Sequence, residues 1–177
     1  NNLVLKNEKI RNLKSMYYYF DGVLLKFIRE PKKEPNAKKK VIIVYNLSLG
    51  DGAMFSCALK NIREIYPRDK YEITMACQKG LNKIYEASKL FDKVLSFNFT
   101  KATVNLKERN ELYKELRKTR YDILLDPIGI EDCSTNVLVS RAICSNEKIG
   151  IINHGRTVKC SKKIYKKVYS KILEVND

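Results

Sequence analysis

The residues with the clearest chemical potential lie in "VIIVYNLSLGDGAMF", residues 41–55, where an apolar run meets a turn that sets Asp51 between Gly50 and Gly52. Glycine lets a backbone approach a ligand closely and reach φ > 0. The helix that should follow offers free N–H groups to an anion. A carboxylate fixed there suits a general base or a ligand for hydroxyls. It equally suits a helix N-cap, which would lower its pKa and weaken it as a base. The stretch is not a P-loop, because no GxxxxGK[ST] run exists. It is not a dinucleotide fingerprint either, because Phe55 stands where the third glycine belongs.

Other candidates carry weaker signals. His154 is the only histidine, and with Arg156 it follows an apolar run at 148–152. The pair would face the same cleft if that run is a strand. Glu131 and Asp132 follow another apolar run and could bind hydroxyls, or sit as an acidic pair at a helix start. The five cysteines, Cys57, Cys77, Cys133, Cys144 and Cys160, show no CxxC spacing, which argues against zinc and against a disulfide framework. Cys57, Cys77 and Cys144 read as small core residues. No metal site and no cofactor is expected.

These residues need elements to hold them. The pattern predicts strands at 41–46, 71–76, 93–97, 121–126 and 148–152, with helices between them at about 53–65, 80–89, 106–119 and 134–144, and another at 161–174. Alternation of strand and helix implies crossover units: an α/β, Rossmann-like parallel sheet with helices on both faces. Ligands of such sheets bind beyond the carboxyl ends of the strands. Upstream, 8–29 reads as a helix whose stripe Ile10, Leu13, Tyr17, Phe20, Leu24 and Phe27 should pack on the sheet's flank or lie on a membrane. Tyr18 and Tyr19 beside lysines fit the second option. Residues 30–40, with Pro31 and Pro35, read as a Lys/Pro-rich linker. The division is then 1–40, helix and linker, and 41–177, one domain.

The net charge is +15, from 35 Lys and Arg against 20 Asp and Glu, which suits an anionic partner or a Lys-rich proteome. Nucleic acid is not expected, since no RNP-like, zinc-finger or helix-turn-helix pattern accompanies the charge. No apolar run reaches the length of a membrane span, and free thiols fit a reducing cytoplasm.

"VIIVYNLSLGDGAMFSCALKNIREIYP" resembles the opening of the heptosyltransferase family, the ADP-heptose:lipopolysaccharide glycosyltransferases: an apolar strand, the turn Ser48–Leu49–Gly50–Asp51, and a helix ending at Tyr66–Pro67. "YEITMACQKG" resembles its second strand, "FDKVLSFN" its third, "RYDILLDPIG" its fourth, and "NEKIGI" a later basic-Ile-Gly segment. The order holds from about 41 to 152. The resemblance implies the N-terminal, acceptor-side half of a two-domain GT-B type enzyme. A sugar would pass from a nucleotide-sugar donor to a hydroxyl of a cell-surface glycan or lipid-linked acceptor, with inversion and no obligatory metal.

By the same resemblance Asp51 is the catalytic base, and Ser48, Gly50, Gly52, Gly129, His154 and Arg156 line the acceptor side. The donor would be held mainly by a C-terminal domain that this chain lacks, so the chain alone is expected to be inactive. The implied location is cytoplasmic, peripheral at the inner face of the membrane, with an anionic membrane surface as a partner. Two departures stand out. Acidic Glu131 and Asp132 stand where the family carries a basic residue for acceptor phosphates, and Gly52 replaces a branched apolar residue. A stand-alone α/β module that binds a nucleotide or glycan without turnover is the alternative reading.

Overall fold

The computed structural model describes residues 20–32, 35, 38–46, 55, 58–128, 135–153 and 166–175. A helix α1 at 20–27 precedes β1 (Lys39–Tyr45). Then come α2 (Ile62–Ile65), β2 (Tyr71–Gln78), α3 (Asn82–Ala87), β3 (Lys93–Phe97), α4 (Phe99–Val104) and α5 (Leu106–Leu116). β4 (Tyr121–Asp126), α6 (Thr135–Ala142), β5 (Ser145–Asn153) and β6 (Lys171–Val175) follow. The six strands form one sheet in the order β3-β2-β1-β4-β5-β6, and every neighbouring pair is parallel. The chain runs outward from β1 to β3, returns beside β1, then runs outward the other way. The expected Rossmann-like α/β sheet is therefore present, with a topological switch between β1 and β4.

β1 shows why an uninterrupted apolar run makes a central strand. Its side chains alternate between faces. Ile42 and Val44 enter a core with α4, α5 and α6, while Val41, Ile43 and Tyr45 enter a second core with Ile62, Met75, Tyr85 and Phe91. Both faces are covered, so every position is apolar. Cys77 and Cys144 are buried free thiols, as read from sequence. Burial pushes the Cys77 thiol up to about 11, which leaves it unreactive at neutral pH.

Three segments depart from expectation. The helix expected over 161–174 ends early, because 171–175 is the edge strand β6, paired with β5 from Ile149↔Lys171 to Asn153↔Val175. Ile172 faces the core and Leu173 faces out, a period of two that a parallel edge captures once β5 presents unpaired backbone groups. No element is expected over 99–104, yet it is helical. Asn98 accepts from Lys101 N at 3.0 Å, and Asn105 caps the next helix by accepting from Lys107 N at 2.9 Å.

The third departure concerns α1. Its inward face is Asp21, Leu25 and Ile28, whereas Phe20 and Phe27 of the stripe, and Val23 beside them, are 59%, 83% and 54% exposed and do not pack on the sheet's flank, the first of the two options. The cause is polar. Arg109 donates to Asp21 Oδ1 at 3.1 Å and Tyr113 to Oδ2 at 2.6 Å, all three being buried. Arg117 donates from Nη1 to the Leu25 and Ile28 carbonyls at 2.7 and 2.8 Å. Leaving Arg109 or Asp21 buried without the other would cost about 3–5 kcal/mol, and turning the helix would also break the Arg117 bonds, so these polar contacts together hold the helix rotation. The residues of the stripe before 20 lie outside the described residues.

Among the described residues, no helix is long and apolar enough to cross a membrane.

Candidate functional site

The carboxyl ends of β1, β4 and β5 lie side by side at the switch point. Neighbouring strands are about 4.8 Å apart, so the loops that leave Tyr45, Asp126 and Asn153 all start at the same edge of the sheet, on three consecutive strands. Those loops carry every site residue expected from sequence: Ser48, Gly50, Asp51 and Gly52 after β1, Gly129 after β4, and His154 and Arg156 after β5. All of these lie outside the described residues, as do Glu131 and Asp132. What is described is the frame that anchors them.

The β1 loop is pinned at both ends. Tyr45, the last residue of β1, stacks on Phe55 with ring centroids 4.4 Å apart and planes 10° from parallel. Such a pair adds about 0.5–1.5 kcal/mol beyond area burial. It brings into contact two residues that flank 46–54. Phe55, which breaks the dinucleotide fingerprint, is thus a packing residue.

The β4 loop is anchored by Asp126, a residue outside the candidates expected from sequence. Its carboxylate is fully buried and accepts from Asn136 Nδ2 at 2.9 Å, Ser140 Oγ at 3.2 Å and the Tyr169 hydroxyl. Burial pushes the Asp126 carboxyl above the usual range, against hydrogen bonds from Tyr169, Asn136, Ser140 and the Ile128 N–H. One side chain therefore ties the end of β4 to the turn after it, to the first two turns of α6 and to the segment before β6. Its position in "DPIG" was visible in sequence; its partners, ten to forty-three residues away, were not.

The other motif carboxylates are structural too. Asp92 of "FDKVLSFN" accepts from Ile73 N, Arg63 and Arg68, each at 2.7 Å. Partial burial raises its pKa, but the Arg63 and Ile73 hydrogen bonds and the two guanidiniums outweigh that and hold it below the usual carboxylate range. Asp122 of "RYDILLD" accepts from Lys40 N at 2.9 Å and Asn146 Nδ2 at 3.2 Å, joining β4 to both neighbours. None of the three is offered to a ligand in this arrangement.

Beyond β3 an open cleft of about 450 Å³ is lined by Lys79, Phe97, Asn98, Glu108 and Glu111.

A six-stranded parallel sheet with helices on both faces is a Rossmann-like α/β fold, of the kind that makes up the halves of GT-B glycosyltransferases. Solved structures bear this out. The chain superimposes on a glycosyl transferase family 9 protein from Veillonella parvula DSM 2008 with a TM-score of 0.59, at 14% identity over 79% of this chain and 37% of that one. It superimposes on the E. coli heptosyltransferase WaaC with ADP-2-deoxy-2-fluoro heptose with a TM-score of 0.58, at 19% identity over 78% of this chain and 43% of that one. The complex of that enzyme with ADP gives 0.57 at the same identity. The family resembled in sequence is thus the one resembled in fold. The chain spans about two fifths of the length of these proteins. No protein-family profile matches the chain, and no characterised protein matches it by sequence.

Proposed function

We propose that this chain is the acceptor-side half of an inverting glycosyltransferase of heptosyltransferase type. The observation that carries the proposal is the switch point between β1 and β4, where the Gly50–Asp51–Gly52 loop leaves a strand whose end is locked to Phe55. The acceptor is a hydroxyl of a cell-surface glycan or lipid-linked sugar, used at the inner face of the cytoplasmic membrane. The nucleotide-sugar donor is held mainly by a second domain.

In the reaction, the acceptor oxygen attacks the anomeric carbon from the face opposite the leaving group. The bond from that carbon to the diphosphate oxygen breaks, the nucleoside diphosphate departs, and Asp51 takes the acceptor proton. Ser48, Gly50, Gly52, Gly129, His154 and Arg156 orient the acceptor. Asp126, buried and fully engaged, is a positioning residue for the β4 loop and has no part in proton transfer. The acidic Glu131 and Asp132 favour an acceptor with free hydroxyls over a phosphorylated one.

The test is Asp51→Asn in the full-length protein. Asn caps a helix about as well as Asp but cannot accept the proton. The variant should melt near wild type and lose about 10²–10⁴-fold in transfer rate. Retention of more than about half the rate would exclude the base role, since positioned-base catalysis exceeds that by orders of magnitude.

A further inference from the structure

α1 presents an apolar strip that its own domain leaves uncovered. Phe20, Val23 and Phe27 are spaced i, i+3, i+7, within an arc of about 60° at about 100° per residue, and all are more than half exposed. Scattered exposed apolar residues need no explanation, but these share one face of a helix that cannot turn to hide them. Asp21 is held by Arg109 and Tyr113, and Arg117 grips the carbonyls of Leu25 and Ile28. Gly22 lets the helix lie against the Arg141 guanidinium. The rotation that exposes the phenylalanines is therefore fixed by buried polar contacts on the opposite side.

The rim of the strip is basic. Lys26 lies about 60° round the helix from Val23; Arg29 and Lys32 lie just beyond the helix end, with Glu30 between them turned to Arg117 and Arg120, and all three cations are exposed. We propose that the outward face of α1 is a docking surface for an anionic lipid bilayer, with the phenylalanines entering the headgroup boundary and Lys26, Arg29 and Lys32 meeting lipid phosphates. A bilayer satisfies both halves of the pattern at once. A nucleic acid would use the cations and leave the rings in water. A second copy would bring two basic rims of a +15 chain together. The inference stands apart from the transferase reading, because lipid binding is measured without turnover.

The sequence contains no tryptophan, so Phe27→Trp introduces a single reporter. Its emission should shift to the blue with phosphatidylcholine–phosphatidylglycerol vesicles at low salt, with little shift on pure phosphatidylcholine and a smaller one as salt rises. Co-sedimentation of Phe20→Ser/Phe27→Ser should fall by about tenfold or more, with the melting temperature unchanged because both rings are solvent-exposed. Three results would overturn the proposal. One is no binding to anionic vesicles at low salt. Another is equal binding by the double-serine variant, which means adsorption by charge alone. The third is a concentration-dependent dimer that the double-serine variant abolishes while vesicles do not bind, which assigns the strip to a second copy.

Discussion

Replacing Asp126 with alanine removes the one acceptor shared by Asn136, Ser140 and Tyr169, all buried. An orphaned buried donor costs about 1–3 kcal/mol, so three donors bound the loss at roughly 3–9 kcal/mol. The variant also relieves the penalty of a buried carboxylate, a term of several kcal/mol of opposite sign. The net expectation is a loss of about 2–4 kcal/mol, a large part of the 5–15 kcal/mol typical of a domain. At about 2–4 °C per kcal/mol for this chain length, the melting temperature should fall by about 5–15 °C. Asp126→Asn keeps an acceptor for Tyr169 and Ser140 and should cost about 1 kcal/mol. The pH dependence gives an independent check. The folded pKa of Asp126 is raised, so the folded state holds its proton more tightly than the unfolded chain. Its contribution therefore falls as pH rises from about 4, the unfolded value, through the folded value, and is level above that. Wild type should accordingly lose ground to Asp126→Asn across that window. Urea unfolding followed by circular dichroism at several pH values measures both effects. An alanine variant within about 0.5 kcal/mol of wild type would refute the anchoring argument, because surface-like substitutions fall in that range. A stable Asp126→Asn full-length protein that loses its transfer rate would refute the assignment of Asp126 to positioning alone.

Asp21→Ala leaves Arg109 buried without its carboxylate and should cost about 3–5 kcal/mol, read as a shift of the urea midpoint; a shift below about 1 kcal/mol would remove the ion pair as the determinant of α1's rotation. Asp92 has a depressed folded pKa, so its contribution is present above the unfolded value of about 4 and is lost as pH falls; wild type should converge on Asp92→Asn in acid-denaturation curves. Lys148 donates to the Ser140 and Arg141 carbonyls at 2.7 and 3.2 Å, and burial lowers its pKa from 10.5 to about 8. Between those values the unfolded chain binds more protons, so stability should rise with pH there, and the rise should vanish in Lys148→Met. The chain alone should bind ADP- and UDP-sugars weakly or not at all by calorimetry; submicromolar affinity would overturn the placement of the donor in a second domain.

The sequence by itself determined the sheet. A short continuous apolar run such as 41–45, bounded by turn residues and alternating with helical patterns, reads as a strand covered on both sides, and the helices between such strands imply parallel crossovers. From those two facts the loops that bear Asp51, Gly129 and His154 could be placed at the carboxyl ends of strands before any coordinates; the strand order, and with it the switch point between β1 and β4, came from the structure. Tertiary structure decided matters that depend on partners distant along the chain. Local periodicity cannot tell an edge strand from a helix, so β6 formed where β5 left an open edge. Hydropathy could not orient α1, because the deciding group was Asp21, a charged residue whose value lies in Arg109, eighty-eight positions away. Asp126 in "DPIG" looked like any strand-end aspartate until Asn136, Ser140 and Tyr169 converged on it. Apolar burial follows a pattern that repeats along the chain and is therefore legible in it. A buried polar group is stabilised only by a particular partner in a particular direction, and the fold alone brings the two together.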